Sequence, residues 1–518
     1  MTTTSKHIQL WTIPQSSQEK NMNWEEGVGV YKLATIATAL GYTTYVYQSS
    51  HYQYDHQIII DRITSSPPDT YLGFSVYSQG ISMLERILCN PHTPSRPVLI
   101  GGPGATVDPK EILHRIPSRY PIAVVQGEGE SIFQKLLEIP VDTWNSLPVW
   151  TRTHDGKIQH GIFQTLQNLE KSPFISLDGS QMRQKAISLI DDHLTNLETR
   201  LTALKSIFHS YIETRRGCFY KCEFCSEPML STTGVRRMSP ERAVNEFDYL
   251  YEHHGIVFFN LVDNIAFDDV SWWECFSREL KKRPYSQWVR FGGYGTPKFF
   301  SHQSWKELLP YLYDAGLCFF TIGVQSGSPR ILRHVIHRPQ TDPQDALNIT
   351  EYATTLGIQV KADFIIGHPT ETLDDLQQTL TCIEKLYNAG AQIFVRRLTI
   401  VPHSGYDLKL QEHTYELPAL THKHINLVER IFSYHCRKDR FASLMSQRNN
   451  PPNIYLIDRK NLIQWPRTTM PMHAVKQHMA ALQDTNIPEL LKYRYTRLYE
   501  LTLAERSEAS KHDRTHHL

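Results

Sequence analysis

Three things are scarce in this 518-residue chain: net charge, long apolar runs and cysteines spaced for pairing. Its 54 Lys and Arg stand against 53 Asp and Glu, so neither a polyanion nor an acidic membrane surface is called for as a partner. No apolar run approaches the roughly 18 residues of a spanning helix. The first residues, Met1-Thr2-Thr3-Thr4-Ser5-Lys6-His7, lack the charged-then-apolar order of a signal peptide. A soluble, cytoplasmic protein that uses neither membrane nor nucleic acid is expected. Of eight Cys, five are scattered (Cys89, Cys275, Cys318, Cys382, Cys436) and three are crowded together. That is a ligand pattern in a reducing compartment, not a disulfide framework.

The length allows two or three domains with sizeable cores, and the periodicity divides them. Residues 1–140 alternate short β-rich runs with helical ones: strands at His7–Ile13, Thr43–Tyr47, Thr70–Val76, Val98–Ile100 and Ile122–Val125, with helices between them. This predicts a doubly wound, Rossmann-like parallel sheet, which binds ligands at the carboxyl ends of its strands. Two glycine turns fall there, Gly101-Gly102-Pro103-Gly104 and Gly127-Glu128-Gly129-Glu130, where bare backbone lets a large ligand approach. Residues 141–208 lose the alternation and read as a linker, with a short hairpin near Trp150 and a connector helix over Asp191–His209.

Across 209–405 the alternation resumes with wider spacing. Six strands, the first at Tyr211–Thr214 and the last at Gln392–Val401, with crossover helices between them, predict an open, partial (β/α)6 barrel whose chemistry sits at the strand carboxyl ends. Residues 406–518, rich in helix formers, His and aromatics such as Tyr493, Tyr495 and Tyr499, are expected to form a small, mainly helical domain that caps the substrate pocket.

The three crowded cysteines, Cys218, Cys222 and Cys225, follow the first barrel strand in a C-x3-C-x2-C loop. One loop can wrap three thiolates around a single cluster, and iron–sulfur clusters are normally held by four. A triplet leaves one iron open for a substrate or cosubstrate. Zinc would ask for a fourth Cys or His at regular spacing, and the nearest downstream candidates, His253 and His254, lie in a predicted helix.

The triplet, with Phe224 just before its last Cys, resembles the signature of the radical S-adenosylmethionine (SAM) superfamily. The later strand ends reinforce this in order: Asp263-Asn264, then Gly323-Val324-Gln325-Ser326-Gly327, then Gly367-His368-Pro369-Thr370-Glu371, then Pro402-His403-Ser404-Gly405. The resemblance implies a 4Fe–4S cluster on Cys218, Cys222 and Cys225, with SAM on the open iron. It implies SAM contacts from Phe224, Asp263, Gln325, Ser326, Gly367 and Pro402, Asp263 holding the ammonium group. Gln325 stands where many relatives carry Glu. It implies an external electron donor of flavodoxin or ferredoxin type and a radical that abstracts hydrogen from substrate.

The strand ending in Tyr77-Ser78, then Gly-Gly-Pro, then Gly-Glu-Gly-Glu, resembles the cobalamin-binding domain that precedes many radical SAM domains. On that resemblance Tyr77, Ser78, Gly101, Gly102, Gly127, Glu128, Gly129 and Glu130 line the corrin and its nucleotide tail. The Asp-x-His-x-x-Gly cobalt-ligand sequence is absent. The function implied is cobalamin-dependent methylation of an unactivated carbon in a small metabolite, natural-product intermediate or peptide. Radical rearrangement, cyclisation or ring contraction remains an alternative, as does an iron–sulfur electron-transfer module without catalysis.

Overall fold

In a computed structural model the described residues are 6–13, 27–48, 55–153, 155–192, 207–231, 233–338 and 341–412, positions 200 and 203, and the backbone of strands 454–457 and 463–465. They fall into two compact units. The first comprises Met1–Thr195, Thr202–Ile207 and Met229–Met238, and the second comprises the remainder.

The first unit is built on a seven-stranded sheet in the order β2-β1-β3-β4-β5-β6-β7. Strands β1 (His7–Ile13), β2 (Thr43–Gln48), β3 (Tyr71–Val76), β4 (Val98–Gly101) and β5 (Ile122–Val124) run parallel. Buried Ile, Leu and Val dominate them, as befits strands covered on both faces. Crossovers run through helices that include α1 (Val28–Ala39), α2 (His56–Thr64), α3 (Ile81–Cys89), α4 (Pro103–Val107), α5 (Pro109–Arg115) and α6 (Glu130–Glu138). Trp11 stacks on Tyr47 at 4.2 Å between centroids, joining β1 to β2. The strand order reverses between β1 and β3, and that switch point is where a doubly wound sheet opens a crevice.

The unit continues past residue 140, against the linker reading. The short strand β6 (Trp150–Arg152) pairs antiparallel with β5, and β7 (Ile158–Gln159) with β6. Helix α7 (Gln181–Asp191) is held by Ser180, which takes the Tyr31 hydroxyl at 2.7 Å. Of the expected connector helix, most positions lie outside the described residues.

The second unit carries six parallel strands in unbroken order: β8 (His209–Ile212), β9 (Phe258–Leu261), β10 (Arg290–Gly295), β11 (Leu317–Gln325), β12 (Gln359–Ile366) and β13 (Gln392–Arg397). All nine residues of β11 are buried. Helix starts follow local chemistry. Ser239 caps α8 (Pro240–His254), with Pro at its first position, and a Thr372–Asp375 capping box opens α13 (Leu373–Asn388). Between them come α9 (Val270–Lys281), α10 (Pro297–Ser301), α11 (Gln303–Ala315) and α12 (Pro343–Thr355), and α14 (Gly405–Gln411) follows β13. The expected domain 406–518, including Tyr493, Tyr495 and Tyr499, lies largely outside the described residues; strands 454–457 and 463–465 pair antiparallel. Among the described residues no helix is long and apolar enough to cross a membrane.

Candidate active site

The cysteine loop leaves β8 under tight control. Strand β8 ends at Ile212, two residues earlier than expected. The backbone N–H groups of Thr214 and Arg215 turn instead to the Asp263 carboxylate beyond β9, donating at 2.8 and 3.1 Å, and the Thr214 hydroxyl donates at 2.6 Å. Arg215 Nε lies 3.7 Å from Asp263, both side chains fully buried, and Arg215 also pairs with Asp268 and stacks over Trp272. Burial pushes the Asp263 carboxyl up to about 6, with Arg215 and the Thr214 bonds opposing.

Beyond Arg215 the loop folds onto an apolar cluster. Cys222, Ile331, Leu332, Val335, Ile336 and Tyr406 form its buried centre, with Tyr220, Phe224, Cys225, Leu398 and Ile400 packed against it. Tyr406 N donates to the Glu223 carbonyl at 3.0 Å, and Glu223 N to the Ile336 carbonyl at 3.3 Å. The Glu223 carboxylate lies 2.9 Å from Lys409 Nζ and 2.6 Å from His337 Nδ1. Two segments, Ile336–His337 and α14, thus clamp the loop at one residue between two of its thiols.

The thiols suit a metal cluster. Backbone N–H groups point at sulfur, Tyr220 N at Cys218 Sγ and Glu227 N at Cys225 Sγ, each 3.4 Å. Burial pushes Cys218 up to about 11 and Cys225 to about 12, against those N–H groups, and raises Cys222 as well; the neighbouring cysteines add to the rise at Cys218 and Cys225. Three such groups do not ionise together in a bare protein. Bound iron would supply the positive charge that makes three thiolates favourable here. His253 and His254, weighed above as zinc ligands, instead close α8.

The strand ends sort the remaining expected SAM contacts. Gln325 ends β11 with φ +69° at an irregularity in its pairing with β12, a conformation that holds its side chain off the regular strand direction. Gly367 follows β12 and donates to Glu371 Oε2 at 2.5 Å. Pro402 is exposed in the turn before Ser404, which caps α14. Phe224 faces the buried His368, 6.2 Å between rings. Ser326 turns away: its hydroxyl lies 3.1 Å from Thr379 Oγ1 on α13 and accepts from Ser328 N. Asp263 also turns away, holding the start of the cysteine loop. Both side chains have internal partners, Ser326 on α13 and Asp263 at the start of the cysteine loop.

Three side chains that sequence reasoning did not single out complete the picture. His368 is fully buried with Nδ1 3.0 Å from the Tyr406 hydroxyl, and burial pulls it down to about 3. Glu371 accepts from two backbone N–H groups, and burial pushes it up to about 7. Arg338 lies over the Tyr220 ring at 4.6 Å. The run Gly-His-Pro-Thr-Glu signalled the first two; nothing in the spacing pointed to Arg338.

In the first unit, the expected corrin residues also divide. Tyr77 N donates to the Ile13 carbonyl across the switch point at 3.2 Å, and Ser78 opens a short 3-10 turn. A side chain at Gly101 would meet nothing within 4 Å, and one at Gly129 only Leu33, at 3.8 Å. At these two positions a side chain would find room. Gly102, by contrast, has φ +91°, and a Cβ there would strike Ser75 Oγ at 2.7 Å and Val76 N at 2.8 Å. Gly127, at φ +90°, would strike the Gln164 carbonyl at 2.3 Å. Both are glycine because the fold demands it. The Glu128 carboxylate accepts from Leu166 N at 2.7 Å and from Arg236 at 2.9 Å, so it braces the unit rather than walling a slot. Glu130 is buried in the first turn of α6.

Residues 212–383 match the radical SAM superfamily. An uncharacterised methyltransferase of Pyrococcus horikoshii is 25% identical over 298 residues, 56% of this chain and 58% of that protein. Cytidylyl-2-hydroxyethylphosphonate methyltransferase of Streptomyces wedmorensis is 26% identical over 334 residues, 58% of this chain and 59% of that one. The chain therefore spans less than two thirds of the length of these curated relatives. The fold is similar to that of TsrM, a radical SAM methyltransferase of Kitasatospora setae solved with cobalamin and a [4Fe-4S] cluster. That likeness has a TM-score of 0.56 at 17% identity over 79% of this chain and 75% of that one.

Proposed function

We propose that this chain, whose residues 212–383 match the radical SAM superfamily, is a cobalamin-dependent radical SAM methyltransferase. One observation carries the reading: three cysteines on one clamped loop, two receiving backbone N–H groups at sulfur, at the carboxyl end of a six-stranded parallel sheet. When bound, the cluster and SAM would supply a one-electron cleavage that generates a carbon radical, and cobalamin would supply a carrier for the methyl group. The chain's own part is placement. Cys218, Cys222 and Cys225 hold the metal; Gln325, Gly367 and Pro402 sit at strand ends where SAM would lie; Phe224 and Tyr406 pack the loop and keep water from its sulfurs. Gly101 and Gly129 leave room for a corrin at the carboxyl edge of the first sheet.

The substrate we favour is a small metabolite, natural-product intermediate or peptide, in keeping with the balanced charge. The electron comes from a flavodoxin- or ferredoxin-type donor. Anaerobic reconstitution with iron, sulfide and hydroxocobalamin, followed by reduction with methyl-labelled SAM, tests the reading. Expected are deoxyadenosine and labelled methyl in product from candidate substrates. Deoxyadenosine and a rearranged, unlabelled product would turn the reading to radical rearrangement. No deoxyadenosine from cluster-loaded protein, with or without substrate, would leave an electron-transfer module.

A further inference from the structure

The two glycine turns of the first unit are tied together through one residue. Thr106, 6% exposed, lies in α4, the short helix that follows Gly101 and Gly102. Its hydroxyl donates to the Gly102 carbonyl at 3.0 Å and accepts from Gly127 N at 3.1 Å. Its carbonyl accepts from Gln126 Nε2, also at 3.0 Å. The first of these bonds is the common one from a helical Thr to the carbonyl four residues back. The other two leave the helix and end on the turn that follows β5. Each turn is also held from elsewhere. A Cβ at Gly104 would strike the Tyr77 backbone at 2.8 Å, so α4 is seated on the chain just past β3. Glu128 N donates to the Gln164 carbonyl at 2.9 Å, and Gln126 Oε1 accepts from Trp150 Nε1 on β6 at 3.0 Å. Thr106 is thus where the end of β4 and the end of β5 are pinned to each other. The two positions with room for a side chain, Gly101 and Gly129, lie on these same turns.

We propose that Thr106 is the positioning residue of the corrin site. By bonding both turns it fixes how far apart Gly101 and Gly129 stand, and so fits the space over them to a corrin and its nucleotide tail. This rests on the cobalamin reading of the first unit. Without the hydroxyl, Gly127 N–H loses its acceptor in a half-buried turn, an unmade bond that the turn relieves by shifting. A ligand that touches both turns then has to reorder them on binding, and affinity falls by that cost.

The test is a titration of full-length, anaerobically iron-loaded protein with hydroxocobalamin, read as the corrin absorption retained after desalting. Thr106→Val keeps the shape and removes the hydroxyl, and should weaken binding by about tenfold or more. Thr106→Ser keeps the hydroxyl and should bind as wild type does. Iron content should be the same in all three. A Val variant that melts earlier yet binds with wild-type affinity has lost a structural bond only, which overturns the proposal. So does a Ser variant weakened as far as the Val variant. If Thr106→Val does not fold, Thr106→Ala is compared with Thr106→Ser: weakening in Ala alone supports the proposal, and equal affinities overturn it. Iron-loaded wild-type protein that retains no corrin overturns the cobalamin reading and this proposal with it.

Discussion

Thr214 gives both its backbone N–H and its hydroxyl to the buried carboxylate of Asp263, at 2.8 and 2.6 Å. Cys218 follows four residues later on the same loop. Removing the acceptor should therefore act on the loop before it acts on any cofactor. Asp263→Ala leaves two backbone donors and Arg215 without their acceptor and should destabilise the protein by about 3 kcal/mol. It should also lower iron uptake on reconstitution, measured by iron counting beside a urea melt. Asp263→Asn, which keeps one acceptor oxygen, should be milder on both counts. Full iron with weakened SAM binding would restore Asp263 as an ammonium ligand.

The buried pair His368 and Glu371 should give stability an unusual pH profile. His368 falls to about 3 from an ordinary 6.5, so the unfolded chain takes up a proton that the folded one refuses. Its contribution is lost as pH drops from about 6.5 toward 3. Glu371 rises to about 7 from 4.5, so the folded protein holds a proton that the unfolded one releases. Its contribution is lost as pH rises from about 4.5 to 7. Between pH 4.5 and 6.5 the two slopes, each at most about 1.4 kcal/mol per pH unit, oppose each other. Urea midpoints should be nearly flat there for this pair, fall with rising pH in His368→Gln, and rise in Glu371→Gln. Parallel profiles for the two variants would contradict the assignment.

Cys218→Ala, Cys222→Ala and Cys225→Ala should each abolish the reconstituted cluster and the SAM cleavage that depends on it. Cys89→Ala, exposed on α3, and Cys382→Ala, buried on α13, should not change iron content. A triple Ala variant that still binds its full iron would remove the basis of the proposed function.

Much of this was legible in the sequence because local chemistry sets it. Pro240 after Ser239, the Thr372–Asp375 box and the apolar run of β11 each declare an element without help from the rest of the chain. What stayed hidden was long-range. Asp263 reads as a strand-end carboxylate, and only the fold shows that Thr214 and Arg215 take it up. Ser326 reads as a loop hydroxyl until α13 brings Thr379 beside it. Residues 141–159 look aperiodic because their strands are two or three residues long, β6 pairing onto β5 and β7 onto β6. Arg338 carried no pattern at all; the fold sets it over Tyr220 and against the Gly323 carbonyl, each more than ten residues away.

The two adjacent glycines after β4 separate a ligand effect from a folding effect. Both were expected to wall a corrin slot, yet they differ in what a side chain would meet. At Gly102 the backbone is left-handed and a Cβ strikes Val76 N at 2.8 Å, so Gly102→Val should unfold or distort the sheet whether or not a corrin binds. At Gly101 the conformation is ordinary and nothing lies within 4 Å. Gly101→Val should leave the thermal midpoint close to wild type and remove only the room a ligand would use. Protein reconstituted with hydroxocobalamin and desalted should keep a corrin absorption band in wild type. It should lose that band in Gly101→Val with circular dichroism and iron content unchanged. Gly129→Val, close only to Leu33, should behave in the same way. Retention of the full band by both variants would place the corrin elsewhere or nowhere, because a ligand lying over Gly101 and Gly129 cannot share that space with two added side chains.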